Sequence, residues 1–330
     1  MSSNSSMVSS ILASVAVSAI TVLAVTHHFA TQISELKKLR QSERTGRINA
    51  EKKLRKLDLQ LSTSSSSTSP SCPQPNTLSL KQIGTIHSPF VKRMGTPRQG
   101  QLVPSARGYI KFDSATCPLE NLTSITQFSH VWVLFSFHEN TNLSSSLKTM
   151  IKPPRANGAK VGSLSTRSPH RPNNIGLSLV KVERLDTKNK SLYISAFDLC
   201  HGTPIFDIKP VVPFDVPVNL TVPEWVTQED ALKSVIFDSQ ADVELEEMVK
   251  RNNLSPLYGS GDLEESLRSA KRAICEVLAQ DPRQSRLRGK EQDKPYNIRF
   301  CGVGIDFIVT EGTSRVVRVV KADPSDSLSY

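Results

Sequence analysis

Short catalytic and metal-binding signatures are missing from this 330-residue chain. It has no G-x-x-x-x-G-K-[ST] loop to cradle phosphates and no G-x-S-x-G nucleophile elbow. GVGID (302–306) is too short for a Rossmann-type loop, and His138-Glu139-Asn140 is not H-E-x-x-H, so zinc hydrolysis gains no support. The five cysteines, Cys72, Cys117, Cys200, Cys275 and Cys301, are scattered and form no C-x-x-C pair. That spacing argues against a metal cluster or disulfide framework and for reduced thiols serving as small hydrophobes. Apolar residues make up only 38%, while 20 Pro and 15 Gly imply many turns. Such a composition excludes a multi-span membrane protein, a collagen and a disulfide-stapled miniprotein.

Charge is absent from residues 1–30, where Met7 to Val25 reads MVSSILASVAVSAITVLAV. The run is about as long as one membrane-spanning helix and lacks the positive start of a secretory signal. Residues 31–61 follow with nine Lys+Arg against four Asp+Glu. The positive-inside bias then predicts a single-pass anchor with everything after it in the cytosol; an organellar targeting segment is the alternative. The organisation expected is an anchor or targeting segment over 1–30, a basic helical stalk over 31–61 and a Ser/Pro-rich linker over 62–80. A β-barrel domain over 81–223 and a small α+β domain over 224–330 complete it.

The barrel expectation rests on short runs rich in β-branched and aromatic residues at 81–87, 108–112, 130–137, 176–185 and 191–197, separated by Pro/Gly-rich segments. No amphipathic helix of ten residues interrupts them, so the βαβ alternation of a doubly wound sheet is missing. Closure into a barrel removes exposed edges. Beyond it, 227–249 and 261–280 read as helices, the second opened by an Asp262/Glu265 capping box and ended by Pro282. Residues 296–310 and 314–322 read as two strands.

The net charge of +10 divides evenly, +5 in residues 1–80 and +5 in the rest. The second half gathers in two places. Lys148, Lys152, Arg155, Lys160, Arg167 and Arg171 occur without an intervening acid, and Arg283, Arg286, Arg288 and Lys290 oppose Asp281 alone. Phosphate contacts to RNA and solvated loops both fit that pattern.

IGTIHSPF (83–90), GTPRQGQL (95–102), FSHVWVLFSFHEN (128–140), KPPR (152–155), STRSPHRPNNIGLSLV (165–180), DLCHGTPIFDIKP (198–210) and ICEVLAQDPR (274–283) together resemble the TrmO/TsaA-like family. The segments stand in family order and the resemblance covers roughly 81–322. It implies a mainly β fold, a β-barrel S-adenosylmethionine-dependent methyltransferase domain with a small α+β domain behind it. The implied reaction methylates N6 of threonylcarbamoyladenosine at position 37 of tRNA, and the family implies a homodimer. Cofactor contacts carried over by position are Pro97, Arg98, Gln99, His138, Glu139, Arg167, Leu179, Asp198, Leu199, Cys200 and His201. Contacts to the tRNA anticodon stem-loop would come from Lys152, Arg155, Arg171, Arg283 and Arg286. Asp198, His201 and Asp207 could each take the N6 proton, and no metal is implied. Asn174 and Val211 stand where the family pattern has Pro and Tyr, which predicts a looser loop and a lost aromatic face. Those departures favour the competing reading, a tethered RNA- or cofactor-binding module without catalysis.

Overall fold

Alternation of buried and exposed side chains builds the first body of the chain. The computed structural model describes residues 79–322, apart from 140–148, 154, 157, 228–231, 233, 255, 260–261 and 284–292, together with scattered helical positions between residues 32 and 53. Strands β1 (Gly84–His87), β2 (Arg107–Phe112) and β3 (His130–Ser136) come first, with short strands β4 (Met150–Ile151) and β5 (Val161–Gly162) forming a hairpin of their own. They are followed by β6 (Ile175–Asp186), β7 (Ser191–Ser195) and β8 (Pro204–Pro210). The barrel closes in the order β1-β2-β7-β6-β3-β8, with every pair antiparallel. Every second residue points inward: Ile86, Ile110, Val131, Val133, Val180, Ile194 and Ile205 are fully or almost fully buried.

One strand of the closed barrel escaped the sequence reading. PIFDIKP lies between prolines and carries Asp207 and Lys209, a composition that reads as loop, yet it forms β8. It pairs with β3 and with the start of β1 and so completes the closure. Its prolines sit at the two ends, where a missing N–H costs least.

Among the described residues, the second body has four strands in the order β10-β11-β12-β9, with two helices of more than ten residues. β9 (Ser234–Phe237) lies inside the segment expected to be wholly helical and pairs in parallel with β12 (Thr313–Lys321). Helix α1 (Ser239–Lys250) follows it directly. Helix α2 (Leu263–Ala279) buries Ser266, Ser269, Ala270, Ala273, Ile274, Val277 and Leu278, one stripe at helical spacing. Asp262 occupies its N-cap position without making a side-chain cap bond, and Glu265 faces Arg268 and Arg107 instead. The strand expected over 296–310 is a hairpin, β10 (Tyr296–Phe300) and β11 (Val303–Thr310), turned at Cys301 with φ +52°.

The N-terminal membrane helix is corrected. Among the described residues no helix is long and apolar enough to cross a membrane. The Met7–Val25 run lies outside the described residues, and Ser9, Ser10, Ser14, Ser18 and Thr21 dilute its hydrophobicity. The expected membrane location, which rested on that helix alone, falls with it.

Candidate functional site

The first half of β6 has no strand partner on its β7 side, because that pairing begins only at Lys181. The carbonyls of Leu177 and Leu179 are left to side chains there. Arg167 Nη2 donates to the Leu177 oxygen at 2.7 Å, and its Nη1 donates to Gln99 Oε1 at 3.0 Å. Gln101 Nε2 donates to the Leu179 oxygen at 3.4 Å. Two loops distant in sequence are thereby fixed to one strand.

A third loop, 196–203, lies under the first. A Cβ on Gly100 would overlap the Ala196 carbonyl oxygen, so only glycine permits this approach. Thr96 Oγ1 lies 3.1 Å from Cys200 Sγ. Burial pushes the Cys200 thiol up to about 11; Thr96 opposes this, while Glu139 and Asp198 add to it. Cys200 is therefore a neutral thiol near pH 7 and not a nucleophile. The Asp198 carboxylate accepts a short hydrogen bond from the Ser178 hydroxyl. Burial pushes Asp198 above the usual carboxylate range, against the lowering pull of Ser178 and Arg167.

His138 and Glu139 close the site from the end of β3, with Nε2 of the histidine 3.6 Å from Oε1 of the glutamate. Thr203 gives its hydroxyl proton to the Cys200 carbonyl at 2.7 Å, so it accepts from His138 Nδ1–H at 3.2 Å. The backbone N–H of His201 donates to the Phe90 oxygen at 2.8 Å. Its Nδ1 accepts from the Ser88 N–H at 3.3 Å, which leaves the ring proton on Nε2. Asp207, on β8, pairs with Lys209 at 2.9 Å. Pro97 and Leu199 are buried, while Arg98 is half-buried. Burial and then the neighbouring Arg155 lower the Arg98 pKa, and Asp281 opposes them.

The basic residues divide differently from the sequence expectation. Lys152 is exposed. Arg155 Nη1 donates to the Val226 oxygen at 3.0 Å, and Arg171 Nη1 donates to the Thr166 oxygen at 2.6 Å. Arg283 is buried and grips Asp281 with Nε and Nη2, at 2.8 and 2.9 Å. Arg286 lies outside the described residues. Asn174 ties its loop down where a looser one was expected: Nδ2 donates to the Phe137 oxygen at 2.8 Å and to Ser136 Oγ at 3.2 Å. The N–H of Val211 donates to the His130 oxygen at 3.0 Å, holding the chain that leaves β8 against β3.

Thr96, Ser178 and Thr203 belong to this web and were not picked out from sequence. Ser178 carried a readable signal, being a hydroxyl on the inward stripe of β6 between Gly176 and Val180.

Comparison with known proteins gives a consistent answer. Residues 85–215 match the tRNA-methyltransferase O N-terminal domain and residues 230–322 the TrmO C-terminal domain. The chain is 32% identical over 235 residues to a tRNA (adenine(37)-N6)-methyltransferase of Escherichia coli K12, covering 70% of this chain and 93% of that protein. It is 44% identical over 156 residues to the rat protein of that description, covering 45% of this chain and 35% of the relative. The chain thus spans about a third of the length of such mammalian relatives. A crystal structure of TrmO superposes with a TM-score of 0.57 at 30% identity, covering 74% of this chain and 99% of that one. A TrmO structure from Pseudomonas aeruginosa gives 0.57 at 28% identity, covering 74% and 98%.

Proposed function

This chain belongs to the TrmO family, and we propose that it methylates N6 of adenine 37 in tRNA, taking the base as threonylcarbamoyladenosine and the methyl group from S-adenosylmethionine. The observation that carries the reading is the pair of hydrogen bonds that Arg167 donates to Gln99 Oε1 and to the Leu177 carbonyl. It draws two family segments separated in sequence, 95–102 and 165–180, into one site with no phosphate loop.

The side chains fit the cofactor. Asp198 and Glu139 are carboxylates able to face a sulfonium and an ammonium, and Arg98 and Arg167 are guanidiniums able to face a carboxylate. Asn174 Oδ1 is buried with no partner, an acceptor left open beside the His138 end of β3. When bound, S-adenosylmethionine supplies an electrophilic methyl group on a positively charged sulfur.

The N6 lone pair is delocalised into the purine and the carbamoyl group, so the chain's own task is to hold N6 in line and take its proton. Asp198 suits that second role best. Its raised pKa makes it a stronger base than an ordinary carboxylate, whereas Asp207 is committed to Lys209 and His201 Nδ1 already accepts from Ser88. Lys152 and Arg171, with neighbouring Lys160, would meet anticodon-stem phosphates. Phe214 and Val218, 95% and 100% exposed in the segment after β8, support a second copy of the chain as a further partner.

The test is the full chain incubated with S-adenosylmethionine and tRNA carrying threonylcarbamoyladenosine, followed by nucleoside mass spectrometry. One added methyl on that nucleoside is the expected result. Unmodified tRNA, alongside methylation by the E. coli relative, would sink the reading.

A further inference from the structure

We infer that the second body is a scaffold for the first cofactor loop, and that Tyr258 and Glu276 are positioning residues for Arg98 and Gln99. The inference rests on the cofactor reading above and adds to it a role for residues outside the barrel. The loop between β1 and β2, residues 88–106, contains no regular element beyond one short 3-10 turn at Gly100–Leu102. Backbone without ladder partners needs them from elsewhere, and here the second body supplies them at both ends.

At the start of the loop, the Cys301 N–H donates to the Pro89 oxygen at 2.7 Å, and Phe90 forms an isolated antiparallel bridge to Phe300. In its middle, a Cβ on Gly95 would meet the Ile298 side chain at 3.2 Å, so the loop rests against β10. At its end, the Tyr258 hydroxyl donates to the Ser105 oxygen at 3.0 Å and accepts from the Arg107 N–H at 2.9 Å. Glu276, on α2, accepts from both the Ser105 N–H and the Ser105 hydroxyl, each at 2.8 Å.

These contacts suit positioning better than bulk stability. Tyr258 is 1% exposed, and its hydroxyl bonds the Ser105 carbonyl at the end of the loop and the Arg107 N–H where the loop enters β2. Glu276 sets one oxygen on the Ser105 N–H and the other on its hydroxyl, a bidentate grip that fixes orientation as well as distance, while Arg272 Nε donates to the second oxygen at 3.2 Å. Ser105 stands four residues after Gly100's neighbour Gln101 in the same loop, whose Gly100 backbone must lie on Ala196 and whose Gln99 is held by Arg167. A displacement at Ser105 therefore passes to the face that would meet the cofactor.

The experiment uses the full chain carrying Tyr258→Phe, Glu276→Ala, Glu276→Gln or Ser105→Ala. S-adenosylmethionine dissociation constants come from calorimetry, tRNA affinity from filter binding, and folding from thermal melts. Removing the Tyr258 hydroxyl leaves two backbone groups unpaired, which predicts a cofactor dissociation constant raised about tenfold. KM for S-adenosylmethionine should rise in step, with kcat and tRNA affinity held within about twofold. Glu276→Ala should weaken the cofactor by a similar factor, and Glu276→Gln, which keeps one acceptor oxygen, should recover part of the loss. If Tyr258→Phe or Glu276→Ala does not fold, Ser105→Ala decides: it removes a single half-buried side-chain hydrogen bond, leaves the backbone one, and should raise the constant roughly threefold. Folded variants that bind S-adenosylmethionine as tightly as the parent overturn the inference. A parent chain that binds no S-adenosylmethionine overturns the cofactor reading and this inference with it, and the parent titration reports that failure separately.

Discussion

Asp198 shows at single-residue scale what burying a carboxylate costs in stability. Its folded pKa is raised by burial, so the folded state holds the proton more tightly than the unfolded chain does. The stability linked to this group is present below the unfolded value and is lost as pH rises through the folded pKa. Asp198→Asn cannot ionise and keeps an oxygen for the Ser178 hydroxyl. It should melt above the parent at pH 7, with the gap closing as pH falls below the ordinary carboxylate range, while losing most methyl transfer. Thermal melts across pH and a single-turnover methylation assay measure the two effects, and a variant melting below the parent at pH 7 would refute the account. Arg167→Lys gives a second test at this scale, because an ammonium cannot span Gln99 Oε1 and the Leu177 oxygen as the guanidinium fork does. Cofactor affinity should fall about tenfold on calorimetry, as expected for the loss of one charge-assisted hydrogen bond. Residue identity pointed to much of the hydrogen-bonded web, since Gln99, Arg167 and Asp198, named from the matched segments, all make side-chain hydrogen bonds in it. Conformation did not follow from identity at Arg283, where a nearby Asp281 outcompetes solvent, or at Asn174, where a side-chain amide does the tethering expected of proline.

Elements meet here through close backbone approach, and Gly100 is the tightest case. A methyl at that position would overlap the Ala196 oxygen, so the first loop would have to lift from the strand end that leads to Asp198. Gly100→Ala is predicted to cost about 1–3 kcal/mol of stability and to abolish measurable cofactor binding, read by denaturant melts and calorimetry. Full binding by a folded Gly100→Ala protein would show that the two loops move independently. The strands of the barrel were legible because β1, β2, β3, β6 and β7 fall in short runs rich in β-branched and aromatic residues, set between Pro/Gly-rich segments. β8 was not, since its register depends on pairing with β1 and β3 more than on its own composition. Likewise β9 took SVIF out of a helical reading because parallel pairing with β12 satisfies its backbone.

At the scale of the whole molecule, the two bodies over 79–322 share one core. A single hydrophobic cluster runs from Ile86 in the barrel to Val319 in the second sheet. Its seam is aromatic: Phe90 meets Phe197 at 5.7 Å and Phe300 at 6.3 Å between ring centroids, and Phe300 meets Tyr258 at 5.2 Å. Sequence segmentation at residue 223 rested on a change of pattern, from strand-like runs to helix-like ones with strands. Shared burial is not legible in a linear pattern, because Phe90 and Phe300 look like ordinary apolar residues until they are opposed. The charge tells a similar story, since Arg155, Arg171 and Arg283 all bind groups of their own chain. The seam also has a thermodynamic consequence. If the second body scaffolds the cofactor loop, residues 79–322 should unfold together, and Phe300→Ala should weaken both parts at once. The expected loss is about 3–5 kcal/mol, typical of a buried Phe truncated to Ala. Backbone circular dichroism and, in a Trp225→Phe background, the fluorescence of Trp132 in the barrel strand β3 should then shift to lower denaturant by equal amounts and stay coincident. Two separated transitions, with Trp132 reporting an unaltered barrel, would mean that the second body docks on a barrel already rigid without it.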